Sequence, residues 1–126
     1  MSSPSVLRIR AFWELLRYDI VASVAGFAAV RRGLPRLDKN CRPADGMDGA
    51  VSKAIDWAVA FYWKPVLCLQ RSIAATRLLR AYGVPAELVI GCRLAPFVGH
   101  AWVEVGERIL SGPAGYPQHL AVLDRA

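Results

Sequence analysis

Between Ser5 and about Arg32 the apolar residues Leu7, Phe12, Leu15, Leu16, Ile20, Val24 and Phe27 recur at helical spacing. Pro4 suits a first turn and Gly33 an end, so the pattern predicts one long helix, broken near Gly26. From Leu34 to Gly49 prolines, glycines, aspartates and an asparagine replace any periodicity, which reads as a loop long enough to form an arm or lid. Apolar positions resume from Ala50 to Trp63 (Val51, Ala54, Ile55, Ala58, Val59, Tyr62), and Lys64-Pro65 ends that helix, because the residue before a proline avoids helical geometry. A third helix is expected from Val66 to Tyr82, with Leu67, Ile73, Leu78 and Leu79 on its apolar positions and Gly83 as its cap. The period then falls to two. Ala86 to Arg93 and His100 to Val105 read as strands, and a turn at Val105 to Glu107 leads into a third, Arg108 to Leu110. Helices first and an antiparallel meander last make an α+β arrangement, with a helical part and loop over residues 1–49 and the core over 50–126 of a single structural domain.

Length and composition narrow the classes. The chain has 126 residues, 55% hydrophobic and 21% charged, enough for one core and too apolar for a disordered chain. Ile20 to Val30 is the longest strongly apolar stretch and is far shorter than the roughly 20 residues a spanning helix needs, so no transmembrane segment is expected. The Met-Ser-Ser-Pro start lacks the features of a secretory signal. Three cysteines, Cys41, Cys68 and Cys92, without a CxxC pair indicate neither a disulfide framework nor a zinc site, and a reducing cytoplasm fits them best. The net charge of +6 is skewed toward Arg8 to Arg42. Such a face can steer an acidic peptide or bind nucleic acid, but no nucleic-acid motif accompanies it, and a solvated surface explains it equally.

The chemistry rests on one cysteine. A thiol at a helix N-terminus meets unpaired N–H groups that favour its thiolate, and an imidazole can accept the thiol proton and return it to a leaving amine. Cys68 falls in the first turn of the third predicted helix, and His100 on a strand able to return across that turn. Helix cysteine followed by strand histidine is the order of papain-like and transglutaminase-like enzymes. Against this, a lone cysteine in an apolar helix is more often core, and a lone strand histidine more often structural; spacing alone does not decide. Cys41, Cys92 and His119 are assigned no role. No Gly-rich phosphate loop and no metal-ligand cluster are present, so neither a cofactor nor a metal is expected.

Three stretches decide it: Cys68-Leu-Gln-Arg-Ser-Ile-Ala, then Leu78-Leu-Arg-Ala-Tyr-Gly-Val-Pro-Ala-Glu-Leu-Val-Ile-Gly, then Pro96-Phe-Val-Gly-His-Ala-Trp-Val-Glu-Val. In this order they resemble the B2 leader peptidases of lasso-peptide biosynthesis, bacterial members of the transglutaminase-like superfamily. The close likeness runs from Pro65 to Val105. It implies a hydrolase that removes the leader from a ribosomally made precursor, with Cys68 as nucleophile and His100 as general base. It further implies a separate leader-recognition protein, which the basic helix or the 34–49 loop would dock, and a lasso cyclase acting on the freed core. By analogy with related folds, the Cys68 N–H would be one oxyanion donor; the second has no candidate in the sequence.

The likeness also implies an aspartate twelve residues past the histidine, and that position is Gly112. If Glu104 pairs with Arg108 in the hairpin, residue 112 stands opposite His100. Glu104, on the His100 face of a regular strand, is then the substitute acid, reaching the ring through a bend or a water; Ser111 and Asp124 are weaker candidates. Trp102 on the same face is expected to shield the histidine or to line a peptide groove, though an ordinary core aromatic fits the position as well. The missing acid leaves three alternatives: a dyad enzyme, a substituted acid, or a non-catalytic relative that binds precursor or partner.

Overall fold

The computed structural model describes residues 4–35, 46–94, 97–105, 108–109 and 121–125, of which positions 4, 92–94, 97–100, 108–109 and 121–124 are described as backbone only. Four helices, α1 (Pro4–Ala25), α2 (Phe27–Arg32), α3 (Met47–Phe61) and α4 (Cys68–Ala81), precede four strands, β1 (Ala86–Leu94), β2 (Phe97–Val105), β3 (Arg108–Ile109) and β4 (Ala121–Arg125). The architecture is α+β, as the pattern predicts.

The helix boundaries follow from backbone chemistry. Gly26 sits at φ 82°, a left-handed conformation that costs glycine little, and this splits the long predicted helix into α1 and α2. Gly83, also at φ 82°, closes α4: its N–H donates to the Arg80 carbonyl at 3.1 Å and the Val84 N–H to Leu79 at 2.9 Å, the paired bonds of a Schellman end. Gly33 follows α2 at φ −80°, so no left-handed cap forms there. The boundaries of α3 and α4 differ from the expectation. α3 starts at Met47 inside the expected loop, with Gly46 at φ 77° before it, and it stops at Phe61 because Tyr62 is already extended at ψ 147°. α4 begins at Cys68 rather than Val66, with extended Leu67 as N-cap.

The main core joins Leu7, Ala11 and Leu15 of α1 to Val51, Ala54, Ile55 and Ala58 of α3, Ala74, Leu78 and Leu79 of α4, and Ala86 and Val103 of the sheet. A smaller cluster of Val30, Ile73, Leu88 and Ala101 joins α2, α4 and the sheet. Polar side chains lock the helices together. Buried Gln70 donates to the Leu15 carbonyl at 2.9 Å, and Arg77 pairs with Glu14 at 2.6 Å. In α1 the inward line runs through buried Leu7, Ala11 and Leu15 to partly buried Tyr18 and Ala22, so Ile20 and Val24, expected on the apolar side, are exposed. The reason is phase: residues 7, 11, 15, 18 and 22 stack within one arc of a 3.6-residue helix, and 20 and 24 fall outside it. Phe27, also expected on that side, is exposed at the start of α2, beyond the break at Gly26.

The sheet is antiparallel in the order β3-β2-β1-β4. β1 and β2 pair throughout, Gly91 opposite His100 and Val89 opposite Trp102. The hairpin into β3 pairs Val105 with Arg108 and Glu104 with Ile109. This corrects the expected Glu104–Arg108 pairing: the turn holds two residues, not three, and a one-residue slip exchanges the faces. It removes the ground for placing Gly112 opposite His100, and Gly112 itself lies outside the described residues. β4, absent from the sequence reading, fills the other edge against β1, setting Asp124 beside Ile90 next to a register shift.

Candidate active site

Leu67 is extended and Cys68 opens α4, so the thiol stands at the first helical position, where the N–H groups of the opening turn have no partners in the helix. Cys68 is a free, exposed cysteine. The segment leading to it is held from below. The Tyr62 hydroxyl donates to Asp19 on α1, Lys64 pairs with the same carboxylate at 2.8 Å, and Gln70, two residues past the thiol, is anchored to α1. Tyr62 also stacks on Trp63 with ring centroids 4.1 Å apart.

This network is electrostatically one-sided. Burial raises the Asp19 pKa, but the hydrogen bonds from Lys64, Tyr62 and Gln70 outweigh it and hold the carboxyl below its ordinary range. The Tyr62 phenol is pushed up by burial and by the Asp19 carboxylate it binds, so it stays protonated as a donor. Tyr18, one residue earlier on α1, is raised mainly by burial and by Asp19; Lys64 opposes this, and Cys68 adds to it.

α4 packs on β1 and β2, which brings the helix that carries Cys68 and the strand that carries His100 into one layer contact. His100 is placed by its backbone on β2, opposite Gly91; its side chain, together with Cys41, Ser111, Gly112 and His119, lies outside the described residues. Glu104 is committed elsewhere. It accepts from Trp102 Nε1 at 2.8 Å and from Arg125 at 3.2 Å. Four residue steps of strand separate its backbone from that of His100, about 13 Å at the usual strand rise. Trp102 is 1% exposed, with its indole N–H given to Glu104 on the same strand. Among the described residues no group of three or more His, Cys, Asp or Glu side chains is placed to hold a metal, and no helix is long and apolar enough to cross a membrane.

The residues that sequence reasoning missed are Tyr18, Asp19 and Tyr62. Tyr18 and Asp19 sit on α1 and Tyr62 just past the end of α3, at positions that read as surface or core filler, and only the packing of α1 beside the start of α4 brings them together.

The family model described as the transglutaminase-like superfamily matches residues 12–125. The chain is 39% identical over 56 residues to the Microcin J25-processing protein McjB of Escherichia coli, a stretch that is 44% of this chain and 27% of that protein's length. No solved structure gives a significant match.

Proposed function

The chain belongs to the transglutaminase-like superfamily, and from that premise we propose that it is a cysteine peptidase that removes the leader from a ribosomally made lasso precursor in the bacterial cytoplasm. The observation that carries this reading is the free, exposed Cys68 at the first position of a helix packed against the strand of His100. The local likeness to a Microcin J25-processing protein supports the choice of substrate.

The sulfur of Cys68 attacks the carbonyl carbon of the leader–core peptide bond, and the carbonyl π pair moves to oxygen as a tetrahedral oxyanion. Collapse breaks the C–N bond, and the core amine leaves with the proton His100 took from the thiol. The leader remains as a thioester on Cys68 until water, deprotonated by His100, releases it. A separate leader-recognition protein delivers the precursor, and a cyclase takes the core amine onward. To test the reading, the protein is mixed with its precursor and recognition partner and acid-quenched for mass spectrometry. A leader-sized adduct on the tryptic peptide containing Cys68 is expected, and its absence during demonstrable cleavage would contradict the mechanism.

Gly112, where the resemblance implies an aspartate, favours a second reading. In it the fold is kept as a module that binds precursor or partner without cutting. Tight precursor binding with no product over long incubation would select it.

A further inference from the structure

We infer that Tyr18 is a further catalytic residue, its phenolic O–H donating the second hydrogen bond to the oxyanion that forms at Cys68; this rests on the cysteine-peptidase reading above. The geometry that points to it begins with packing. Tyr18 lies against the small cluster of Val30, Ile73, Leu88 and Ala101, as does Leu69. Leu69 lies in the first turn of α4 and Ala101 on β2, so the tyrosine ring packs where the start of α4 meets that strand.

Tyr62, the other tyrosine of the network, donates to Asp19, whereas the Tyr18 hydroxyl makes no hydrogen bond among the described residues. Tyr18 is partly exposed, so an acceptor arriving with the substrate can replace water at its O–H. Its surroundings keep it a donor: burial and the Asp19 carboxylate disfavour the phenolate, and a negative sulfur disfavours it further. A group of this kind, fixed before the reaction and aimed at charge that appears only in the transition state, is what an oxyanion site requires. The Cys68 N–H supplies one donor at the helix end, and Tyr18 supplies the other from α1.

The test separates this role from the nucleophile's. p-Nitrophenyl acetate acylates a reactive thiol: the C–S bond forms, the carbonyl pair moves to oxygen and returns, and the C–O bond breaks to release p-nitrophenolate. Iodoacetamide alkylates the same sulfur by displacing iodide, with no oxyanion at any stage. Wild type, Tyr18→Phe and Cys68→Ala are compared at one pH, Cys68→Ala giving the background from the other thiols. Tyr18→Phe keeps the ring and loses only the hydroxyl. Its acylation should slow at least tenfold, about 1.4 kcal/mol of transition-state stabilisation, while iodoacetamide alkylation stays at the wild-type rate. Unchanged acylation overturns the assignment, and so does a parallel loss of both reactions, which would place Tyr18 on the thiol or on the fold. Wild-type acylation no faster than that of Cys68→Ala would instead bring down the peptidase reading, and this inference with it.

Discussion

The hydroxyl of Tyr62 donates to the carboxylate of Asp19, tying the segment that leads into Cys68 to the middle of α1 across 43 residues of sequence. The carboxyl is held below its ordinary range, so its contribution to stability is present above the unfolded carboxylate pKa and is lost as pH falls through the lower folded value. Replacing it with asparagine should therefore cost about 1.5–3 kcal/mol at neutral pH, the usual worth of hydrogen bonds to a charged group. The gap between wild type and Asp19→Asn should narrow as pH is lowered below about 4. Urea unfolding at several pH values measures this, and a gap independent of pH would show that the carboxylate charge is not what holds the segment.

Gly83 offers a cleaner backbone test. A Cβ built there meets nothing within 4 Å, so Gly83→Ala introduces no clash, yet φ is +82°. The substitution should cost about 1–2 kcal/mol from the left-handed conformation alone. Unfolding by denaturant reads this directly, and an unchanged midpoint would mean that the Schellman end is not maintained in solution.

Leu15 is fully buried between α1 and the other helices. Leu15→Ala should cost about 2–5 kcal/mol, depending on how far the site collapses. That is a large fraction of the 5–15 kcal/mol typical of a domain, so the variant should melt far below the parent in a thermal scan. A nearly unchanged melting point would contradict the packing of α1 on α3 and α4.

The Trp102–Glu104 contact distinguishes scaffold from chemistry. With its carboxylate bound to Trp102 and Arg125, Glu104 supports the strand end, and Glu104→Gln should lower stability by about 1 kcal/mol while the acylation rate of Cys68 stays within a few-fold. A drop of a hundredfold or more at unchanged stability would return Glu104 to the role of orienting acid.

Much of this architecture was legible because it is local. Gly26 and Gly83 announce left-handed turns, the 3.6-residue period marks three helical stretches, and the change to a period of two at Ala86 marks the sheet. What the sequence hid is non-local. β4 is a five-residue segment whose meaning lies in its pairing with β1, some thirty residues earlier, and nothing in Ala-Val-Leu-Asp-Arg identifies that partner. The hairpin register turned on one residue of turn length, which composition does not set, and the ground for placing Gly112 opposite His100 went with it. The surroundings of Cys68 were invisible for the same reason. Asp19 meets Tyr62 and Lys64, on the segment leading into Cys68, only because α1 packs against the start of α4, and Trp102 became core because of which face of the sheet is covered.

The central claim is that Cys68 cuts a peptide bond with His100 as its base. Its most direct test is the mass-spectrometric yield of free core peptide when precursor and recognition partner are incubated with wild type, Cys68→Ala, His100→Gln and the double variant Cys41→Ala/Cys92→Ala. Wild type and the double variant should release core at similar rates, Cys68→Ala should release none, and His100→Gln should be slower by at least a hundredfold. Core released by Cys68→Ala at the wild-type rate would contradict the account.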